Sequence, residues 1–424
     1  MKERMKERVK ARLLSALPPA RALGRWLLLS GLTGIACGLA GAAFAWCVSY
    51  AGAVRTAHPW LLFCMPLAGL AIVGSYRAAG MGNDSGTNQI IASVRGSERP
   101  PLRLAPLIFV GSVLTHLTGG SAGRTGAALQ IGGSISAGIG RLLRLGEENV
   151  NTIIQCGMAG LFSALFGTPL AATVFSLEVV DVGHLQYAAL FPCLLSALIS
   201  DAIPRALGLP GERHVLRGMP PLGPEALLRC GVLAVLAALA SIAFCVLMQT
   251  IGRLYQKYIP NQYLRVLAGA ALVIALTLLE GSGDYNGAGG GVIALALEGE
   301  IRVPWAFALK MLFTALTLRA GFRGGEIAPT LFTGATFGCA VGPLLGLDPA
   351  FAAAVAMIAL FCGVVNCPMA SIFFAIELFG GVGLPFFALS CALSFLLSGN
   401  YSLYSSQKLM FSKVERKALD RNAH

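Results

Sequence analysis

Long apolar runs alternate with short polar breaks along the whole chain. Windows of bilayer length lie around 27–54, 230–251 and 382–399, and a membrane-spanning helix needs about 20 apolar residues. Other apolar windows are shorter and are broken by glycine or proline: 104–118, 157–177, 329–346 and 350–364. This pattern predicts an all-α polytopic membrane protein in which many helices are short, tilted and interrupted.

The composition supports the same class. Hydrophobic residues make up 56% of the chain and charged residues only 12%, whereas a soluble domain is about 25% charged. The 52 glycines and 21 prolines favour closely packed, interrupted helices over leucine-rich spans. The eleven cysteines are scattered and form no CxxC pair, so we expect them to pack in the core, and we expect neither a metal nor a cofactor.

Positive charge is concentrated at both ends. Residues 1–25 hold eight Lys/Arg and two Glu, and five Lys/Arg and two acids follow from Lys408 onward. The positive-inside rule then predicts two cytoplasmic termini and an even number of crossings of the bacterial inner membrane. The segment 1–25 is typical of an amphipathic helix that lies on anionic lipid. A nucleic-acid role is not favoured, because the basic runs carry no recognition motif.

Two blocks of sequence recur in the same order at nearly the same offset. Residues 129–140 (LQIGGSISAGIG) match 331–342 (LFTGATFGCAVG), and residues 167–178 (GTPLAATVFSLE) match 366–377 (NCPMASIFFAIE). Duplicated halves with interrupted helices are typical of transporters and channels whose site lies between the repeats. An odd number of crossings in each half would invert one repeat relative to the other in the membrane.

The repeats divide the chain into five parts. The tail is too short to fold alone. The predicted parts are the amphipathic segment 1–25, the first transmembrane repeat 26–207, the linker 208–225, the second transmembrane repeat 226–407 and the basic cytoplasmic tail 408–424.

Two glycine-rich segments stand at matching places in the halves. GGSAGRTGAALQ (119–130) and GFRGGEIAPTLF (321–332) each place loose backbone before a run that favours a helix. A helix that begins inside the membrane directs free N–H groups and the positive end of its dipole at an anion. The alternative is that the glycines only let helices approach closely, but packing alone does not require Arg124 or Glu326.

An enzyme is the rival class. GGSAG (119–123) matches the G-x-S-x-G pattern of a serine hydrolase, and His116 is nearby. However, no strand–turn–helix context surrounds the motif and no acid is close enough in sequence to orient His116, which we expect to be packed or pore-lining. We expect Glu178 and Glu377 to hold backbone amides near loops rather than to act in catalysis.

Three motifs together resemble the CLC chloride channels and proton-coupled antiporters. GSAGRTGAALQIGGS resembles the GREGP-type segment of that family, GFRGGEIAPTLFTGATFG its GGxFAP-type segment, and GNYSLYSSQ the stretch with its central tyrosine. The details favour the fluoride-exporting branch, because SGTNQII (85–91) replaces the GSGIP segment and Glu326 matches an acid of that branch. The resemblance implies inverted repeats and a homodimer with one ion pathway per subunit.

The resemblance also implies an anion site at which backbone amides and hydroxyls line the path. The site residues carried over are Thr87, Asn88, Gly123, Arg124, Thr125, Gly126, Glu326, Ile327, Ala328 and Tyr404. Two registers stay open: Met81 competes with Thr87, and Tyr401 competes with Tyr404.

The expected substrate is a small inorganic anion. Fluoride is strongly hydrated, so hydroxyls and amides suit it, and fluoride is preferred here with chloride or mixed halide as the alternative. In the proton-coupled relatives a glutamate follows the arginine of GREG, but Thr125 stands there in this chain, and Val179 stands where the chloride exchangers carry an inner acid. Passive, uncoupled movement is therefore predicted, and the competing interpretation keeps proton coupling through Glu326.

Overall fold

A computed structural model of the chain describes residues 2–82, 84–96, 98–209, 211–414 and 418–423, with side chains from Arg21 onward. Within these ranges the fold is built from sixteen α-helices, eight in each half. Those of the first half are α1 (Lys2–Ala57), α2 (Met65–Ala78), α3 (Thr87–Arg95), α4 (Leu104–Leu117), α5 (Thr125–Leu142), α6 (Glu147–Phe166), α7 (Pro169–Glu178) and α8 (Leu190–Ala206). Those of the second half are α9 (Pro224–Tyr258), α10 (Gln262–Glu280), α11 (Gly290–Leu297), α12 (Ala306–Ala320), α13 (Ile327–Val341), α14 (Pro349–Val365), α15 (Pro368–Phe379) and α16 (Leu384–Leu397).

The helices have the lengths of an integral membrane protein. Seven helical stretches within the described residues are long and apolar enough to cross a bilayer. The helices α4, α14, α15 and α16 are apolar but shorter. The predicted all-α membrane class, with short and interrupted helices, is confirmed.

The same helices pair in each half. The long helix α1 contacts α6 and α8, and α9 correspondingly contacts α14 and α16. Likewise α5 packs on α6 as α13 packs on α14, and α2 packs on α4 as α10 packs on α12. The two-repeat architecture is therefore present in three dimensions. The predicted linker lies between α8 and α9, whereas the boundary after residue 25 falls inside α1, which is one continuous helix.

The interruption predicted within 157–177 is a sharp helix break that recurs in the second half. Helix α6 is followed by Gly167, whose φ is +72°, and α7 begins two residues later at Pro169. Helix α14 is followed by Asn366, whose φ is +55°, and α15 begins two residues later at Pro368. A left-handed residue ends a helix and proline suits the first turn of the next.

Close approach of backbones explains several glycines in the repeated blocks. A Cβ atom on Gly132 in α5 would lie 2.1 Å from the carbonyl oxygen of Gly157 in α6. In the second half, a Cβ atom on Gly338 in α13 would lie 2.1 Å from the carbonyl oxygen of Ala352 in α14. The two helices of each pair thus touch through main-chain atoms, as small residues permit in membranes.

A small sheet ties the tail to the first half, which the sequence did not predict. Its strands are β1 (Asp181–Val182), β2 (Lys408–Phe411) and β3 (Ala418–Asn422), in the order β1-β2-β3. β1 pairs with β2 in parallel, and β2 pairs with β3 antiparallel. The tail does not need to fold alone, because residues from the first repeat supply the first strand.

Candidate functional site

The two glycine-rich segments meet directly at the centre of the molecule. Gly123 and Gly325 form a two-bond bridge in which each amide donates to the other's carbonyl at 2.7 Å. A Cβ atom on Gly325 would lie 2.2 Å from the amide nitrogen of Gly126. Side chains are therefore excluded at the bridge, and the starts of α5 and α13 are held side by side.

Each of these helices begins immediately after the bridge. Thr125 is the first residue of α5 and Ile327 the first of α13. The N-terminal turn of a helix leaves amides without intrahelical partners, and neither preceding residue, Arg124 or Glu326, caps its helix with its side chain. The free amides of both helices, including those of Gly126 and Ala328, can therefore bind an anion.

A third helix, α3, begins beside them. The hydroxyl of Thr87, its first residue, donates to the carbonyl of Gly126 at 3.3 Å. The amide group of Gln130 donates to the same carbonyl at 3.2 Å. Met81, the alternative to Thr87, is buried in the loop between α2 and α3, where its amide donates to the carbonyl of Tyr76. Thr87, and not Met81, lies at a helix start.

Thr125 and Glu326 place polar atoms at the bridge without giving them a partner. Thr125 is fully buried, and neither its hydroxyl nor Oε2 of Glu326 has a hydrogen-bond partner among the described residues. A Cβ atom on Gly126 would lie 3.0 Å from that Oε2 and 3.1 Å from the Thr87 hydroxyl. Buried polar atoms of this kind require a partner, so their clustering indicates a binding site.

Tyr404 adds a further buried hydroxyl. Its side chain is 1% exposed and its hydroxyl has no hydrogen-bond partner within the part of the chain that the structure describes. It lies within electrostatic range of Glu326. Tyr401, the alternative, is partly buried and lines a cavity, and its carbonyl accepts from the side chain of Asn366.

Asn88 holds the tyrosine segment in place. Its side-chain carbonyl accepts from both the amide and the hydroxyl of Ser406 at 3.0 Å. The segment is fixed on its other side by Gln407, whose side chain donates to the carbonyl of Val365 at 2.8 Å. Asn88 therefore connects the start of α3 to the loop that carries Tyr404.

Arg124 faces away from the bridge. Its guanidinium donates to the carboxylate of Glu212 at 2.7 Å. Glu212 belongs to the linker, and its amide also bonds to the carbonyl of Phe166. No sequence pattern indicates this partner, because 88 positions separate the two residues and no periodicity connects them.

Each of the two repeated glutamates caps the helix that carries the other. Glu178, at the end of α7, accepts from the amides of Met369 and Ala370 at the start of α15. Glu377 in α15 accepts from two amides at the start of α7, at 3.0 and 2.8 Å. The predicted structural role of both acids is confirmed. Such reciprocity is what an approximate twofold axis between the halves produces.

The serine hydrolase alternative has no support in the geometry. The hydroxyl of Ser121 pairs with that of Thr314 at 3.0 Å. The Nδ1 atom of His116 bonds to the carbonyl of Ser112, and its Nε2 has no partner among the described residues. Ser121 and His116 are therefore not paired with each other.

Cavities reach this centre from two directions. One of about 530 Å³ includes Arg124 and His116 in its wall. Another, of about 620 Å³, is lined by Asn88, Tyr401 and other residues that flank Tyr404, and we name it the Tyr404-side cavity. Residues next to the buried polar cluster therefore line two different cavities, as a permeation site requires.

A family model described as voltage gated chloride channel matches residues 69–399. The chain belongs to the CLC family. It is 33% identical over 400 residues to a chloride/fluoride channel protein of Pseudomonas syringae pv. tomato, covering 93% of this chain and 88% of the relative. It is 27% identical over 395 residues to the H(+)/Cl(−) exchange transporter ClcA of Vibrio cholerae, covering 83% and 81%.

Solved structures give the same result. The fold matches a CLC-type fluoride/proton antiporter with a TM-score of 0.88 at 32% identity, covering 91% of this chain and 98% of that structure. A slow cyanobacterial Cl−/H+ antiporter matches with a TM-score of 0.74 at 19% identity, covering 88% and 94%, which shows the fold alone. The resemblance inferred from sequence is confirmed. The protein is a CLC-type anion transport protein, and members of this family are channels and transporters rather than enzymes.

Proposed function

We propose that this protein carries fluoride out of the bacterial cytoplasm by passive movement that is not coupled to protons. One observation carries the proposal: the α5 start, beside the Gly123–Gly325 bridge, presents a buried hydroxyl, Thr125, without a partner among the described residues. The names of similar proteins, a chloride/fluoride channel and a fluoride/proton antiporter, support the choice of ion.

The donors at the centre suit fluoride. Two buried hydroxyls, of Thr125 and Tyr404, have no partner in the described part of the chain, and the free amides of α5 and α13 lie beside the bridge. A hydrogen bond to a charged group contributes about 1.5–3 kcal/mol, so several such donors can replace the water that fluoride sheds. Chloride needs less from the same donors and remains the alternative substrate.

Thr125 decides the proposed mode of transport. A hydroxyl donates a hydrogen bond to an anion, but it carries no charge near neutral pH and cannot exchange a proton with solution. No carboxylate at this position therefore competes with the anion for the amides of α5, and the anion can pass without a proton moving in the opposite direction.

Proton-coupled exchange through Glu326 is the second candidate. Oε2 of Glu326 is buried at the start of α5, with no partner among the described residues. A carboxyl group placed beside the ion path can alternate between a proton and a free carboxylate. This position makes Glu326 the one acid of the two glycine-rich segments that can replace the missing glutamate.

One experiment separates the two modes. Purified protein is reconstituted in liposomes of low proton permeability, a fluoride gradient is imposed at zero membrane potential, and internal pH is followed beside fluoride efflux. Passive transport gives fluoride efflux with no uphill proton movement. Uphill proton movement that disappears in Glu326→Gln establishes the coupled mode instead. Equal rates for fluoride and chloride contradict the fluoride assignment but leave the family unchanged.

The proposal also includes the membrane arrangement expected from the sequence. Both termini lie in the cytoplasm, and two copies form a homodimer with one pathway in each subunit. Thiol labelling of a cysteine introduced at Ser412, inside intact cells and in everted vesicles, tests the position of the tail. Cross-linking in the native membrane tests the dimer.

A further inference from the structure

Two arginines with buried Nε atoms line cavities beside the central site, and neither has an acidic partner among the described residues. The Nε atoms of Arg265 and Arg319 are both buried and have no hydrogen-bond partner in the described part of the chain. Neither guanidinium has a carboxylate within 4 Å among the described residues. A cation that is partly removed from water is unfavourable unless an anion or a polar group accompanies it.

Two other cations that are partly or fully removed from water have such partners. Arg95 pairs with Asp181 at 3.0 Å. The ammonium group of Lys310 donates to the carbonyls of Tyr285 and Gly287 at 3.0 and 2.7 Å. Arg265 and Arg319 lack partners of this kind among the described residues, and they share one location.

That location is the wall between two adjoining cavities. Arg319, in the last turn of α12, lines the Tyr404-side cavity and also a neighbouring cavity of about 410 Å³. Arg265, in α10, lines the second of these, which reaches the loop before α3 through Asp84 and Ser85. We name the two together the basic vestibule.

The basic vestibule carries an excess of positive charge. Four arginines line it, Arg253, Arg265, Arg319 and Arg323, against one acid, Asp84. That acid is already used, because its carboxylate bonds to the Arg323 guanidinium at 2.8 Å. A concave surface of one sign concentrates counter-ions from solution.

The basic vestibule also leads towards the central site. The walls of the Tyr404-side cavity include Leu403, which precedes Tyr404 in the chain, and Asn88, which bonds to Ser406 in the same loop. Arg319 is within electrostatic range of Glu326 at the bridge. An anion held by Arg319 is therefore next to the path through the centre.

We propose that Arg265 and Arg319 form an anion-loading site, which holds a small monovalent anion before it reaches Tyr404 and Glu326. This inference rests on the proposed function, because it assumes that the anion travels through the Tyr404-side cavity. The site supplies charge-assisted N–H donors from the two guanidinium groups. It raises the local concentration of anion at one end of the pathway only.

The test measures how fluoride efflux depends on the internal fluoride concentration. Isethionate keeps the ionic strength constant, and protein inserted in both orientations presents the basic vestibule to the liposome interior in half of the molecules. Arg319→Gln is expected to raise the half-saturating fluoride concentration of that half by about tenfold, within the range of electrostatic steering. The unmodified protein is expected to show two components, because the loading site faces the interior in only half of the molecules. In Arg319→Gln the high-affinity component is lost, while the maximal rate changes less than twofold.

Matched variants make the result specific. Arg253→Gln removes a charge from the same cavity, but Arg253 is exposed and already bonds to Gln249, so both components are expected to stay within twofold of those of the unmodified protein. Arg319→Lys keeps the charge and should restore most of the affinity. Arg265→Gln tests the second member and decides the question if Arg319→Gln does not assemble.

The outcomes separate this inference from the proposed function. An unmodified protein that moves no fluoride contradicts the function itself. Fluoride transport in which Arg319→Gln and Arg265→Gln behave like Arg253→Gln overturns the loading site and leaves the function intact. Loss of the high-affinity component in Arg319→Gln, with both components kept in Arg253→Gln, supports the site.

Discussion

Arg124 and Glu326 occupy equivalent places in the two halves of the molecule. Each precedes a helix, with φ and ψ of −103° and −17° for Arg124 and −91° and −19° for Glu326. Each also follows a glycine of the same bridge. Arg124, however, turns away to Glu212, whereas a carboxyl oxygen of Glu326 is buried at the start of α5. The backbone is repeated almost unchanged, and the charge beside it is reversed.

The reciprocal glutamates show the opposite behaviour. Glu178 and Glu377 are the same residue in both halves and do the same thing, which is to bond to the first amides of a neighbouring helix. Where a side chain supports the scaffold, the halves agree. At the helix starts beside the bridge they differ, because Arg124 pairs with the linker whereas Glu326 places a carboxyl oxygen at the start of α5.

The largest expected effect comes from breaking the shared backbone. In Gly325→Ala the new methyl group would lie 2.2 Å from the amide nitrogen of Gly126. This clash costs roughly 1–3 kcal/mol or more, and its relief separates the starts of α5 and α13. We expect loss of fluoride flux in liposomes. Gly291→Ala is the control, because nothing lies within 4 Å of its Cβ position, and normal flux in Gly325→Ala would show that the bridge is not essential.

The second-largest effect is expected when a carboxylate is added to the first glycine-rich segment, so that both segments carry one. Thr125→Glu places a carboxylate at the start of α5, where it competes with the anion for the free amides. Flux should fall on the order of tenfold, equivalent to about 1.4 kcal/mol, and should become dependent on pH. Thr125→Gln has a similar size without the charge. If both variants slow transport equally at every pH, steric obstruction rather than charge is the cause.

A comparable but more selective effect is expected at Tyr404. Tyr404→Phe removes one donor from the centre and should weaken fluoride affinity by about 1–3 kcal/mol, or roughly 5–150-fold. The concentration dependence of efflux measures this change. Tyr401→Phe is the matched variant and should leave the affinity unchanged. The reverse result would assign the central position to Tyr401.

The smallest effect is expected at the partly exposed ion pair of the first half. The Arg124–Glu212 pair is partly exposed, with side chains 21% and 40% accessible, and such pairs contribute about 0–1 kcal/mol. Arg124→Gln and Glu212→Gln should each change the half-saturating fluoride concentration by less than about fivefold. The double variant should add nothing further. A much larger loss in Arg124→Gln alone would place Arg124 on the anion path.

The features that could be predicted from sequence are those that repeat or that follow local rules. The break before Pro169 and Pro368 follows from proline in a matched position, and the helix starts after Gly123 and Gly325 follow from loose backbone before an apolar run. The capping role of Glu178 and its counterpart follows from a symmetric acid in an apolar segment. These signals lie within a few residues of the structure that they specify.

The features that could not be predicted depend on how distant helices meet. Asn88 bonds to Ser406, and Arg319 shares a cavity with Arg265, although neither pair is close in sequence. The strands of the small sheet are two to five residues long, too short for an alternating pattern to indicate them. Contacts of this kind follow from the whole arrangement rather than from any one segment.

The sheet that joins the tail to the first half connects parts of the chain that are made at different times. Strand β2 begins at Lys408, four positions after Tyr404, and pairs with Asp181–Val182 from the first repeat. A ribosome delivers the first repeat to the membrane long before it reaches this segment of the 424-residue chain. The hydroxyl of Tyr404 is therefore made after both helix starts at the bridge, and under the proposed function a nascent chain has no complete anion site until the segment with Tyr404 has been added.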